Sequence, residues 1–411
     1  MTSTVLWGDG HSHSDWSEGF APLAQNAHSY ERYDEDFHIA TDHLLVDVSR
    51  EDHRWTPSAF HRQNFRLSWE NLAIYAAECQ QSCTSDHLTV PGLELTWVNA
   101  AHGNFGAPDG AHVLVREHLE RLPAPAFFRG RALRAILREL KEREMRPFMA
   151  HVNDALPWDD FDGTEFTGLE LRHDIEAREP PLGRKGLQYW DAWLSAGKRL
   201  PLSGGSDCHQ MDLWAGSGLR NAVTVRERSA AAILAAMREG RSYLANTWHP
   251  DVYRELGYAG INPERSGGFT PWWRFGEQSD YDRERARLKV DELIVAALQE
   301  NHGRVTTASY PTLLFSVSGR GPGETIAATS AADVTLELRM HVPVKEARLI
   351  AQGAPVWTGA PDNGEGSWRQ ELRLALTGCR YVRLEAVGDD GDGHREYLLS
   401  NPVYLGEDKH A

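Results

Sequence analysis

Two short motifs far apart in the chain call for the same chemistry: GDGHSHSDWSEG at residues 8–19 and GGSDCH at residues 204–209. In an extended backbone, side chains two residues apart share a face. His11 with His13, and Asp207 with His209, can therefore each grip one ion. Three segments between them offer the same kind of group, namely Thr41-Asp42-His43, Gly92-Leu93-Glu94 and His151 in FMAHVND. Imidazole with carboxylate is a donor set suited to zinc, manganese or iron. The chain holds 19 histidines, but a solitary histidine is ordinarily a hydrogen-bonded surface or core residue, so the spacing has to discriminate. Here five separate segments, each closing a short apolar run, carry His or carboxylate groups at their ends.

Those runs predict the elements that present the site. Strands are predicted at Thr4–Gly8, Phe37–Thr41, Leu88–Leu95, His112–Val115, Pro147–His151, Thr167–Leu171, Leu200–Ser206 and Ala222–Val225. Helices interleave at Trp69–Cys83, with Ser68 as its N-cap, at Arg129–Glu144, and at Arg226–Glu239 ending on Gly240. Alternating strands and helices over residues 1–245 predict an α/β domain with its functional groups at strand ends, as in a barrel. Residues 246–303, rich in Trp, Gly, Pro and charge, read as an insertion or linker whose last part, Glu284–Glu300, is helical. Beyond them, alternating runs at Asp333–His341, Glu346–Ala351, Trp368–Leu376 and Arg380–Val387 predict an antiparallel β-sandwich over residues 304–411. Its His341, His394 and His410, and His302 just before it, lack ligand spacing.

A chain of 411 residues with 41% hydrophobic content has room for a large domain and a smaller one. Lys plus Arg number 43 against 59 Asp plus Glu, a net charge of -16, which weighs against binding a nucleic-acid backbone. The four cysteines stand in no disulfide or zinc-ribbon spacing, and Cys79 and Cys83 lie one helical turn apart. With no apolar run long enough for a membrane span and no charged segment leading into one before His11, the expectation is a soluble cytoplasmic protein.

The motifs HSHSDWSEG, IATDH, VPGLEL, AHVND and GGSDCH resemble those of the polymerase and histidinol phosphatase (PHP) superfamily of metal-dependent phosphoesterases, over about residues 4–245. The later segments NAVTV, SAAAILAAMREGRSYL and SNPVYL are more loosely similar to a branch that includes carbaryl-hydrolase-like enzymes. The resemblance implies a distorted seven-stranded (β/α) barrel holding two or three divalent ions (Zn, Mn or Fe) at the C-terminal ends of its strands. It implies that His11, His13 and Asp207 hold one ion, that Glu94 bridges to a second completed in part by His151, and that His43 and His209 hold a third. By the same resemblance Glu18 is a further ligand of the third ion, with Asp15 its competitor. The remaining histidine is His112, at the head of a strand, or His102.

Several residues have a second reading. Asp42 and Glu170 are ligands or carboxylates that orient an imidazole. His38 and His53 read as surface or capping residues, and Cys208, between two ligands, as a small buried residue. No G-x-S-x-G elbow, Walker loop or dinucleotide fingerprint is present, so the expected nucleophile is metal-bound hydroxide. Asp42, His102 and His173 are the candidate proton donors. Arg172, Arg178, Arg184 and Arg220 are expected on loops after the predicted strands, as candidate phosphate contacts, though each alone reads equally as a solvated surface charge. Trp190 and Trp193 fit helix packing, and Trp97, Trp158 and Trp214 flank the ligand motifs. The expected function is hydrolysis of a small-molecule phosphate ester. Hydrolysis of a carbamate, ester or amide, and a non-catalytic metal-binding scaffold, are the competing readings.

Overall fold

The computed structural model of the chain describes residues 3–17, 19, 21–32, 34–46, 66–97, 112–128, 131, 133–150, 163–172, 184–207, 218–248, 310–362, 364–391 and 395–406. The first part of the chain runs β1 (Thr4–Ser12), α1 (Leu23–Arg32), β2 (Phe37–Ala40), β3 (His43–Val46), α2 (Leu72–Gln81), β4 (Leu88–Pro91), β5 (Leu93–Trp97) and β6 (His112–Val115). It continues through α3 (Pro125–Phe128), α4 (Leu133–Glu142), β7 (Phe148–Met149), β8 (Gly168–Arg172), α5 (Arg184–Ser195), β9 (Leu202–Gly205), β10 (Gly218–Val225), α6 (Ala230–Glu239) and β11 (Ser242–Trp248). Nine strands follow: β12 (Thr312–Val317), β13 (Thr325–Ile326), β14 (Ala331–Arg339), β15 (Val344–Ala351), β16 (Ala354–Gly359), β17 (Ser367–Ala375), β18 (Tyr381–Asp389), β19 (Arg395–Ser400) and β20 (Val403–Leu405). The fold is mixed α/β, with many strands and few helices.

The strands around the ligand motifs lie in two hydrogen-bonded sheets. One has the order β3-β5-β6-β7-β8-β9; the other runs β13-β20-β18-β19-β11-β10-β1-β2-β4, with β15 and β16 joined beside β18. The run Leu88–Leu95, predicted as one strand, is two: β4 pairs with β2 in one sheet and β5 pairs with β3 in the other. The break falls at Gly92, where a Cβ would sit 3.0 Å from the side chains of both Ile39 and Thr41. The neighbouring chain breaks at the same level, at Thr41-Asp42 between β2 and β3. Two adjacent strands thus turn together from one sheet into the other.

At the opposite side β9 meets β1 and β10 without a backbone ladder. Side-chain amides replace it. Asn221 on β10 accepts from Gly204 N–H at 3.0 Å and donates to Gly204 C=O at 2.7 Å. Asn401 does the same for Leu202, at 2.7 and 2.9 Å. These two residues of β9 lie two apart and project their peptide groups to the same edge. The joint also needs small residues, since a Cβ on Gly10 would come within 2.3 Å of Gly204 C=O.

Helices cover the sheets through apolar stripes. α4 buries Ile136, Leu137 and Leu140, and α6 buries Ile233, Ala236 and Met237 against Leu6, Phe37 and Val223. Each of the larger side chains among these contributes about 1.5–3 kcal/mol by leaving water. The end of α6 is as predicted, with Gly240 at φ 72°. Its start is shorter than predicted, because Ser229 caps it by accepting from Ala232 N–H at 3.2 Å. α2 likewise starts late: Asn71, not Ser68, is its N-cap residue, and Asn71 Oδ1 accepts from Ser68 N–H at 2.8 Å. Trp190 and Trp193 on α5 are buried, as their helical spacing predicts.

The C-terminal strands do not stand apart from this assembly. β19 pairs antiparallel with β11, Tyr243 opposite Ser400 through Trp248 opposite Arg395. The three-stranded sheet β12-β14-β17 places Phe315, Leu336 and Leu338 in one apolar core with Leu349, Leu384 and Leu398 of the long sheet. On α5, Asp191 accepts from Arg383 Nε at 2.8 Å, from Arg383 Nη2 at 2.6 Å and from Tyr381 O–H at 2.7 Å. Among the described residues no helix is long and apolar enough to cross a membrane. The predicted helix Glu284–Glu300 lies outside the described residues.

Asn221→Ala should lower the unfolding free energy by about 2–4 kcal/mol, because it strands a buried peptide N–H and C=O together. Urea unfolding monitored by tryptophan fluorescence measures the change. A loss below about 0.5 kcal/mol, the usual surface value, would contradict the bridging role.

Candidate metal centre

Four of the predicted ligands converge. His11 and His13 at the end of β1, Glu94 on β5 and Asp207 after β9 bring one donor atom each to within 4.8 Å of all the others. His11 Nε2 stands 3.1 Å from His13 Nε2, 3.1 Å from Glu94 Oε2 and 3.5 Å from Asp207 Oδ1. His13 Nε2 stands 2.9 Å from Asp207 Oδ1 and 3.3 Å from Glu94 Oε2. Donors held around one ion at bonds of 2.0–2.2 Å lie about 3.0–3.5 Å from each other, so the spacing fits a divalent cation. His11, His13 and Glu94 are buried to within 2% of full exclusion from solvent.

The far side of each imidazole is tied back. His11 Nδ1 lies 2.9 and 3.1 Å from the two oxygens of Glu170 on β8. A carboxylate only accepts, so Nδ1 carries a proton, and Nε2 is the nitrogen whose lone pair faces the cluster once its own proton leaves. His13 Nδ1 is 3.4 Å from Ser17 Oγ, whose own proton goes to Asp42 Oδ1 at 2.6 Å. Asp42 also accepts from Ser17 N–H at 3.1 Å, Ser14 N–H at 2.7 Å and Ser14 O–H at 2.7 Å. Its carboxylate anchors the turn after His13 and orients that imidazole through Ser17.

Asp9 organises the joint beneath the ligands. It accepts from His11 N–H at 3.0 Å, from Ser206 N–H at 2.9 Å, from Tyr30 O–H at 2.9 Å, and from Ser206 O–H. His11 C=O in turn accepts from Asp207 N–H at 3.0 Å. β9 ends at Gly205, and Asp207 has φ 53° in the left-handed region. Asp207 is therefore not in the extended conformation its D-x-H spacing predicts. Asp is one of the few residues that tolerate this conformation, and leaving the ladder lets its carboxylate reach His13.

His43 flanks the cluster. Its ring stacks on His13 at 4.6 Å between centroids, with Nδ1 2.6 Å from Thr96 Oγ1 and 3.3 Å from Glu94 Oε2. Asp15 receives a hydrogen bond from Arg66 at 2.8 Å. His112 begins β6, opposite Thr96, as its strand prediction requires. Glu18, His151 and His209, and with them His102, His173 and Cys208, lie outside the described residues.

Two sequence readings are corrected. Arg220 is not a loop guanidinium available to a substrate: it lies on β10, fully buried, donating to Glu35 Oε1 at 2.6 Å. His38 is not a surface residue, since its ring stacks on Tyr30 at 4.6 Å and lies within hydrogen-bond distance of His87 Nε2 at 2.7 Å. Burial, with His87 beside it, holds the His38 pKa well below 6.5. Asp9 and Ser17 were missed. Asp9 was reachable, because residues 9, 11 and 13 share one parity in GDGHSH.

No family model matches the chain. No curated protein matches it either. Among solved structures, a two-domain protein from Bacteroides vulgatus, described as containing a predicted PHP-like metal-dependent phosphoesterase, aligns over 98% of this chain and 96% of its own at 12% identity and a TM-score of 0.43. An amidohydrolase from Chromobacterium violaceum, with bound sulfate and no metal, aligns over 49% of this chain and 87% of its own at 12% identity and a TM-score of 0.27. Overlap at this level says nothing of chemistry. The case for a metal centre rests on the four converging side chains.

Burial disfavours charge on His11, but the carboxylates of Glu170, Glu94 and Asp207 outweigh it and push its pKa from 6.5 up to about 10. In the metal-free protein this protonated imidazole is a stabilising contribution, fully present below pH 6.5 and lost as pH rises through about 10. A cation must displace that proton. Calorimetric zinc titration at pH 7.5 in buffers of different ionisation enthalpy should therefore show release of close to one proton from this site. Uptake with no proton release would contradict the assignment.

Proposed function

We propose that the chain is a multinuclear metal-dependent hydrolase of the PHP superfamily, acting on a small-molecule phosphate ester. The observation that carries this reading is the convergence of His11 Nε2, His13 Nε2, Glu94 Oε2 and Asp207 Oδ1, with both imidazoles tied back at Nδ1. On this reading β1, β2 with β3, β4 with β5, and β6 to β9 make up one distorted seven-stranded barrel, in which β2 with β3 and β4 with β5 are single bent strands. β12–β20 form the accessory β-sandwich, and residues 246–303 the insertion between them.

His11, His13 and Asp207 would hold one ion, with Glu94 placed to serve both it and a second. His43, next to Glu94, would serve a neighbouring ion with His209, and His112 and His151 complete the set. Engagement of Asp15 by Arg66 favours Glu18 as the ligand from the first loop. Two or three divalent ions there would acidify a water and polarise the scissile group. The chain's own part is orientation: Glu170 and Asp42 fix the imidazole tautomers, and Asp9 fixes the spacing between the two ligand-bearing segments. With Asp42 committed to four hydrogen bonds, His102 and His173 are the stronger candidates to protonate a leaving group.

A second reading, hydrolysis of a carbamate, ester or amide, is favoured by one observation. Arg220, a candidate phosphate contact, is taken up by Glu35 inside the fold. The zinc-, manganese- or iron-loaded protein should be assayed on aryl phosphate, phosphodiester, aryl carbamate and aryl ester. Turnover is expected first on the phosphate, and Asp207→Asn should lower it by more than about 100-fold, beyond the effect usual for a group that only orients a ligand. Turnover confined to the carbamate or ester would select the second reading. Metal bound at full occupancy with no turnover on any of the four would leave a non-catalytic scaffold.

A further inference from the structure

The interior directly beneath the cluster is ionic. Arg116, the residue after β6, is buried, and its Nη1 donates to Ser203 Oγ on β9 at 3.0 Å. Its Nη2 stands 3.8 Å from Glu170 Oε1, and its guanidinium lies over the Phe148 ring at 4.9 Å. Nε and Nη2 find no hydrogen-bond acceptor among the described residues. A guanidinium cannot shed its charge, so burying one against an aromatic floor is costly unless an anion faces it. Glu170 is that anion: burial lowers the Arg116 pKa from its ordinary value, and the charges of Glu170 and, more weakly, Asp9 offset part of that lowering.

The packing leaves Glu170 little freedom. A Cβ on Gly205 would come within 2.2 Å of Glu170 Oε1, and a Cβ on Gly10 within 3.4 Å of Arg116 Nη2. The glycines at these two points let the carboxylate and the guanidinium share one narrow layer between β1, β8 and β9. Above Glu170 is His11; beside it is Arg116.

We propose that Arg116 is a positioning residue of the metal centre: its guanidinium, braced by Ser203, holds Glu170 as a charged acceptor under His11 Nδ1, and so keeps His11 Nε2 aimed at the ion. This rests on the reading that the cluster binds a divalent cation. It adds a third layer, ion to His11 to Glu170 to Arg116, in which each group restricts the next. A role confined to filling the interior would need only the volume of the side chain, whereas this role needs its charge.

The test is zinc affinity by competition with a chromophoric chelator, together with the visible spectrum of the cobalt-loaded protein. Arg116→Met keeps the bulk and removes the charge; it should weaken zinc binding by about tenfold or more and alter the cobalt bands. Arg116→Lys should restore the greater part of the affinity. Should Arg116→Met fail to fold by circular dichroism, Ser203→Ala, which removes only the brace, should still weaken zinc several-fold. A folded Arg116→Met that binds zinc as wild type does, or an equal loss in Arg116→Met and Arg116→Lys, overturns the proposal. So does an unchanged Ser203→Ala where Arg116→Met does not fold. Wild-type protein that takes up no zinc, manganese or iron overturns the metal reading itself, and the proposal with it.

Discussion

The close approach of β1 and β9 is the constraint on which the rest depends. His11 and His13 come from the end of one of these strands and Asp207 from the end of the other, and their donor atoms stand within 4.8 Å of one another. A regular ladder would space the strands evenly and keep Asp207 in the pleat. The molecule uses a different joint, in which the side chains of Asn221 and Asn401 satisfy the peptide groups of Leu202 and Gly204. Asp9 meanwhile holds His11 N–H and Ser206 N–H on one carboxylate. Glycine at 10, 204 and 205 allows the approach, and the chain can then leave the strand to place Asp207 in a left-handed conformation.

Bringing these groups together has a physical consequence. Glu94, Glu170 and Asp207 crowd two imidazoles in a site from which water is largely excluded, so the metal-free cluster gathers negative charge and retains a proton on His11. Buried charges of this kind are tolerated only when each is paired or hydrogen-bonded. The pairing is layered. Glu170 faces both His11 and Arg116, and Asp42 collects hydrogen bonds from Ser14 and Ser17. The same groups that make burial tolerable also fix which nitrogen of each imidazole faces the centre.

Much of the site was legible because its signals are local. H-x-H at the end of an apolar run, a glutamate closing VPGLEL and D-x-H after two glycines are visible in any window of a few residues, and four of the ligands named from them do meet. Positions whose role depends on a partner far along the chain were not legible. His38 and Arg220 are polar residues in ordinary-looking runs, and only the packing of Tyr30, His87 and Glu35 around them accounts for their burial. The break of Leu88–Leu95 at Gly92 was hidden for the same reason, since an apolar run does not announce that its two halves face different sheets.

By itself the sequence determined the donor chemistry and the strand-rich α/β character, because residue type, period and turn residues are properties of neighbours along the chain. The tertiary structure alone decided that His11, His13, Glu94 and Asp207 share one centre, and that Glu170 and Asp42 stand behind the imidazoles. It also decided that β19 extends the sheet begun by β1. These are pairings across gaps of 83, 159 and 194 residues, from His11 to Glu94, from His11 to Glu170 and from His13 to Asp207. No local preference encodes such distances; they follow from which faces the chain can bury together.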